Sequence, residues 1–387
     1  MKRTLTAMAL TTLSTLAVAQ QSEGWKLTWH GFVNPQVWAD TRQVIQGRED
    51  MMAFYPMAPG YDEEGIDTNA VPSLNMLSIT TRLSLTIEGP DVLGAKTKGY
   101  IETDFTGSTN AAINNLRLRH AYIDMRWTNS DLLMGQYWHP MVIHEIMPGT
   151  MPLSMGAPFH PYARYNQVRY KQHLGGWEIA ATAAFQLDNK SNGPIGASTQ
   201  YIKRSMIPEM NLQLRYNGEG FMVGVSANTL TIQPRRGQNF SHTSYTVYGK
   251  ANIGDWSLRA QSLLNSNLYE ASSMGGYVET YDAALDQYSY SPYTYTTAWI
   301  DLGKSTGSWR PGIFVGYAQN NTQSHEGTFY GRGQDMESLY RIQPRLTYVA
   351  GHGLSFSAEW EYTSVKYMKF DHNTSNNRFV LSALYAF

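Results

Sequence analysis

From Leu354 to Thr363 apolar and polar side chains alternate strictly. Leu354, Phe356, Ala358, Trp360 and Tyr362 share one face, and Ser355, Ser357, Glu359, Glu361 and Thr363 the other. Period two is strand spacing. The same alternation sets Thr81, Leu83, Leu85 and Ile87 against Arg82, Ser84, Thr86 and Glu88. Trp177, Ile179, Ala181, Ala183, Phe185 and Leu187 oppose Glu178, Thr182 and Gln186. Met210, Leu212, Leu214 and Tyr216 oppose Asn211, Gln213 and Arg215, while Ile342, Leu346 and Tyr348 oppose Arg341, Gln343, Arg345 and Thr347. Runs of about 9–11 residues are long enough to cross a bilayer at a tilt, one face to lipid and one to a lumen.

Tight turns punctuate these runs, with an aromatic beside most of them: residues 127–131, 175–177, 218–221, 254–256 and 307–309, with Leu354 in the aromatic's place at 351–354. They form five intervals in 227 residues. Such a period fits one pair of strands of about 10 residues with a turn and a loop. The pattern predicts an all-β fold, a transmembrane antiparallel β-barrel of about 16 strands. The strands fall at 25–40, 74–89, 95–107, 116–127, 131–139, 166–174, 177–187, 210–217, 221–232, 243–253, 256–265, 293–303, 310–319, 339–350, 354–365 and 376–387. Seven connections are short and eight longer, which places both termini on the periplasmic side and the long loops outside. The first strand slips phase near 31–35, as at a bulge.

Composition agrees with a barrel better than with a soluble domain. Mean hydropathy is −0.38, so no later segment reads as a spanning helix. Charged residues are 16%, aromatics 13%, with 26 Tyr and 10 Trp. There is no cysteine, and the net charge of −1 argues against a nucleic-acid partner. At the start, Lys2 and Arg3, an apolar run over 5–18 and Ala17-Val18-Ala19 read as a signal peptide (residues 1–19) cleaved after Ala19. Residues 20–387 then form one barrel domain of 368 residues, 387 less 19. At the other end Phe379, Leu381, Ala383, Tyr385 and Phe387 alternate to an aromatic terminus. This ending resembles the assembly signal of bacterial outer-membrane barrels, with Tyr385 and Phe387 at its two aromatic positions. It implies outer-membrane lipid and the barrel-assembly machinery as partners, in a Gram-negative cell.

Residues 116–124 (LRLRHAYID), 135–138 (GQYW) and 163–170 (ARYNQVRY) resemble the DcaP-like porins. The recognisable motifs lie within about 80–175, and the layout matches over most of the mature chain. The resemblance implies a 16-stranded homotrimeric outer-membrane channel, passive diffusion of small hydrophilic and often anionic solutes, and a third loop folded into the lumen. The candidate third loop, residues 140–161, departs in being rich in Met and Pro. It includes Pro148, Pro152, Pro158 and Pro161, and Glu145 is its one acid, so no strongly acidic constriction is implied.

Alternation expects Arg82, Arg169, Lys171, Arg215, Arg259, Arg341 and Arg345 to point into the lumen, where inward charges select solutes. Arg117 and Arg119 share that face on a strand of less regular phase. Glu102, Asp104, Glu178, Glu359 and Glu361 also face inward. The set reads as a basic ladder drawing anions, as a transverse field, or simply as solvation of the lumen. His139, His144, Glu145 and His160 read as loop residues lining a constriction. Their spacing matches no strong ligand motif, so no metal and no cofactor is expected. Two loops stand out, acidic at 46–71 and Tyr-rich at 266–292. No G-x-S-x-G occurs, so no enzyme is expected. The chain is also too short for a plugged transporter of about 22 strands. The alternative is a surface adhesin or anchor with little channel activity.

Overall fold

The computed structural model describes residues 24–387 apart from 152, 154, 267 and 323. The signal peptide read at 1–19 and Pro152 lie outside the described residues. Wherever apolar and polar residues alternate, the chain is extended and its apolar face is exposed on the outside of one continuous antiparallel sheet. The sheet has sixteen staves. The first four are β1 (Lys26–Val33 and Gln36–Asp40), β2 (Ser73–Leu77 and Arg82–Glu88), β3 (Lys96–Asp104) and β4 (Arg117–Arg126). Next come β5 (Ser130–Trp138), β6 (Arg164–Leu174), β7 (Trp177–Phe185) and β8 (Glu209–Gly218). Then follow β9 (Phe221–Arg235), β10 (Gln238–Ile253), β11 (Trp256–Asn265) and β12 (Tyr295–Lys304). The circuit ends with β13 (Trp309–Asn320), β14 (Met336–Gly351), β15 (Leu354–Tyr367) and β16 (Thr374–Ala386).

Closure joins β16 to β1, with Val33 opposite Tyr385 and Asp40 opposite Arg378. A closed ring leaves no edge for another chain to pair with. The final residue takes part: Gly31 and Phe387 exchange both main-chain hydrogen bonds, at 3.1 and 3.0 Å. A Cβ at Gly31 would stand 2.6 Å from the Phe387 ring and from the Arg82 carbonyl, so the seam requires glycine here.

The phase slip expected near 31–35 is a break in the stave. Pro35 has no N–H to give the ladder. The Asn34 side chain fills the gap, donating to Ser382 Oγ at 2.7 Å and to the Ala383 carbonyl at 2.9 Å. β2 is interrupted alongside, and Thr80 Oγ1 there donates to Asn34 Oδ1 at 3.0 Å.

Seven turns lie at the end of the barrel where the chain terminates, and eight connections lie at the other. The latter are not all long. β9 and β10 run on to a two-residue turn at 236–237, where 233–242 reads as loop from sequence. Trp177, Phe221, Trp256 and Trp309 stand exposed at the turn end, as an aromatic girdle does. The Tyr-rich stretch is itself folded: Gly275–Asp282, Gln287–Tyr293 and Thr328–Arg332 make a separate three-stranded sheet.

Two loops turn inward. The stretch read as an acidic outer loop begins with a hairpin, Val44–Gly47 and Met52–Pro56, whose second arm is wholly buried. Met51, Phe54 and Tyr55 pack with Ile146, Ala157 and Phe159 of the third loop and with Trp299, Phe314 and Leu339 of the barrel wall. An apolar run such as 51–55 hides its surface wherever it can, and here the nearest cover is inside the ring.

Candidate functional site

The third loop crosses the interior and is hydrogen-bonded around much of its circumference. Arg259 donates to the Met147 carbonyl at 2.8 Å, and Gln36 to the Met151 carbonyl at 3.3 Å. The Met151 N–H donates to Glu359 at 3.1 Å, Arg341 to the Ala157 carbonyl at 3.0 Å, and Thr297 to the Phe159 carbonyl at 3.2 Å. Glu145 meets Arg215 at 2.6 Å. Enclosure by the barrel opposes ionisation of Glu145, but Arg215 and Lys171 outweigh it and bring the carboxyl down to about 2.

On the far wall most of the predicted inward charges are covered, and all but Glu359 stand near an opposite charge. Arg341, 0% exposed, donates to Thr363 Oγ1 at 2.9 Å and to the Phe54 carbonyl at 2.8 Å, and lies 3.2 Å from Glu361. It therefore clamps both inward loops to the wall. Arg345 holds Asp301 with both Nη atoms, at 2.7 and 3.0 Å, and Arg259 stands 3.8 Å from the same carboxylate. Glu359 accepts from Gln343 at 2.6 Å. These residues face inward as alternation expects, but Arg341, Glu359 and Glu361 lie beneath the loops, away from open lumen.

The near wall, β2 to β8, differs. A bulge makes Arg119 an extra residue: Glu102 faces His120 while Thr103 faces Leu118. The bulge turns Arg119 and His120 inward together, which explains the irregular phase read there. Arg119 bonds Glu102 at 2.6 Å and Asp104 at 2.7 Å, Arg117 bonds Asp104 at 2.8 Å, and Arg82 lies 3.6 Å from Glu102. Three guanidinium groups thus share two carboxylates. Lys171 and Arg215 share Glu178, at 3.3 and 2.8 Å.

Arg169 and Arg164 have no carboxylate partner among the described residues. Arg169 donates to the Trp138 carbonyl at 3.0 Å and lies 5.4 Å from the Tyr137 ring. Arg164 lies 4.7 Å from the Trp138 ring and 5.2 Å from that of Tyr162. Alternation counted from Arg169 puts Arg164 on the opposite face, so the period-two pattern does not select it. At the top of β6 both Arg164 and Tyr165 are buried.

Between loop and near wall lie two cavities. One, of about 100 Å³, is lined by Tyr122, Arg126, His144, Glu145, Arg169 and Lys171. The other, of about 220 Å³, is nearer the loop end and is lined by Arg48, Arg117, Gln136, Tyr162, Arg164 and Asp188. Burial would raise the Tyr162 hydroxyl, but Arg164, Arg119 and Arg117 outweigh it and bring it down to about 7.

The loop histidines disperse. His139 Nδ1 accepts from the Met141 N–H at 3.2 Å, so its Nε2 is the donor to Glu209 at 2.9 Å. His160 bonds Gln261 at 2.8 Å, and burial lowers its imidazole to about 4. His144 alone faces a cavity. Among the described residues no three His, Asp, Glu or Cys are grouped to hold a metal ion. At the seam, Tyr385 and Phe387 are exposed on the outer wall.

No protein-family model matches the sequence, and no curated protein matches it. Solved structures do. The outer-membrane channel DcaP of Acinetobacter baumannii superposes with a TM-score of 0.71 at 18% identity, over 95% of this chain and 99% of that one. The anion-selective porin of Comamonas acidovorans gives 0.59 at 10% identity, over 94% and 100%. A trimer form of OmpT, an outer-membrane protein of Vibrio cholerae, gives 0.56 at 11%, over 94% and 100%. The likeness to the DcaP channel, read from short motifs in one quarter of the sequence, is therefore a likeness of the whole fold: a closed 16-stranded antiparallel barrel of porin type.

Proposed function

We propose that this chain is a Gram-negative outer-membrane porin through which small hydrophilic solutes diffuse, with a preference for anions. The observation that carries the reading is the near wall. Among the described residues Arg164 and Arg169 have no carboxylate partner, and they line two cavities between the inward third loop and that wall. Charges lining a narrow aqueous path set which ions enter it. The third loop is the constriction, with Glu145 and His144 at its edge and Arg82, Arg117, Arg119, Lys171 and Arg215 supplying a mixed field. The apolar wall faces lipid, the turn end with both termini faces the periplasm, and the leader at 1–19 is removed on export. Tyr385 and Phe387 are what the assembly machinery reads, and the barrel works as a homotrimer. It is a channel and not an enzyme.

Reversal potentials across planar bilayers in a KCl gradient test this: anion preference is expected, and cation preference overturns it. The surface-anchor reading draws on one observation, the apolar packing of the two inward loops across the interior. Absence of stable conductance from folded protein would favour it.

A further inference from the structure

The larger cavity brings together three arginines from three separate elements: Arg48 at the tip of the first-loop hairpin, Arg117 of β4, and Arg164 at the start of β6. Their needs are unequally met. Arg117 is held by Asp104, through bonds of 3.1 and 2.8 Å. Among the described residues the Arg164 guanidinium makes one side-chain hydrogen bond, a long one of 3.4 Å to the Tyr162 hydroxyl. The buried Nε of Arg48 has no partner among them. Among the described residues lining the cavity, Asp188 is the only acid. Burial, followed by the nearby Arg117, lowers the proton affinity of Arg48, the mark of a crowded cation.

The hairpin holds Arg48 there at a conformational cost. Arg48, Glu49 and Asp50 all have left-handed backbones, at φ of 59, 52 and 64°, and none is glycine. Three such residues in a row persist only where the surroundings enforce them, and strain of this kind gathers at ligand clamps. The surroundings here are specific. The Arg48 N–H donates to Asn110 Oδ1 at 2.6 Å, and Asn75 Nδ2 donates to the Glu49 carbonyl at 3.0 Å.

We propose that Arg48, Arg164 and the Tyr162 hydroxyl form an oxyanion-binding site on the loop side of the constriction. Guanidinium forks match the paired oxygens of a phosphate or carboxylate. A space of about 220 Å³ admits such an ion with part of its hydration. The site rests on the anion-preferring reading and adds to it an equilibrium resting place, built in part by a loop that sequence reading left outside the barrel.

Calorimetric titration of the folded protein in detergent at pH 6, where the Tyr162 hydroxyl keeps most of its proton, with sodium phosphate, and separately with sodium acetate, tests the site without requiring conduction. Saturable binding of either ion is expected, weakened at least tenfold in Arg48→Gln and in Arg164→Gln and unchanged in Lys304→Gln, which lies on β12 at the turn end. Binding of acetate alone assigns a carboxylate site, and binding of phosphate alone a phosphate site. No binding of either ion, or equal affinity in Arg48→Gln, overturns the proposal. Should Arg164→Gln fail to fold, judged by heat-modifiable migration, Arg48→Gln decides alone. Anion-selective current without binding overturns this site and leaves the pore; cation-selective current with binding overturns the pore and leaves the site.

Discussion

The two walls of the barrel carry similar inward charges and put them to opposite uses. On β14 and β15, Arg341 pairs with Glu361, Arg345 pairs with Asp301 of β12, and Glu359 accepts from Gln343 and from the Met151 N–H of the third loop. On β2 to β6, three guanidinium groups share two carboxylates, and Arg164 and Arg169 add two more beside the cavities. Burial is similar on both, Arg119 and Asp104 being as covered as Arg341; the difference lies in the partners, and in the two cavities left between the third loop and the second wall. Side-chain direction alone does not make a residue pore-lining; the loop lying over it decides.

The sharpest way to break the contrast is Arg341→Ala. It strands a buried carboxylate, Glu361, and frees carbonyls of both inward loops. The expected loss is about 3–5 kcal/mol, the usual cost of removing one member of a buried pair. Unfolding midpoints in urea with refolded protein measure it.

A smaller effect per pH unit belongs to Glu270, whose segment fastens the end of the third loop: the Ala271 carbonyl accepts from the Tyr162 N–H. Burial, then the backbone and the neighbouring Glu209, set the balance that raises the Glu270 carboxyl to about 8, from 4.5. The folded form therefore binds a proton that the unfolded form has lost. Stability is expected to fall as pH rises from 4.5 to about 8 and then to level off, by at most about 1.4 kcal/mol per pH unit. Glu270→Gln is expected to flatten that slope in unfolding curves taken from pH 5 to 9.

Arg169→Gln is expected to lower the anion-to-cation permeability ratio by about twofold to fivefold. That corresponds to about 0.5–1 kcal/mol for one unit charge in a partly hydrated site. The smallest effect is the most telling. Neutralising Arg345 and Asp301 together, as Arg345→Gln with Asp301→Asn, is expected to leave the reversal potential where it was. A shift as large as that of Arg169→Gln would erase the distinction between the walls.

The barrel was legible because period two survives in most staves, each of which meets apolar surroundings on one side. Residues 354–363 alternate in the sequence and alternate in space. Legibility failed where another force outranked alternation. The bulge beside Glu102 carried Arg119 and His120 inward together. The strict count from Arg169 hid Arg164. The inward hairpin was concealed by its acidic continuation at 62–67, although the unbroken apolar run at 51–55 is a poor sequence for a solvated loop. Asp301, Asp40 and Glu209 were missed as partners because pairing across the ring depends on register, which no single stretch reveals.

Arg341 has a consequence for movement as well as for stability. One guanidinium grips main-chain oxygens of the hairpin, at Phe54, and of the third loop, at Ala157. Neither segment can swing aside alone without stripping a buried cation of part of its coordination. The two halves of the obstruction are thus riveted to each other through one side chain, and parting them strips that cation of its partners.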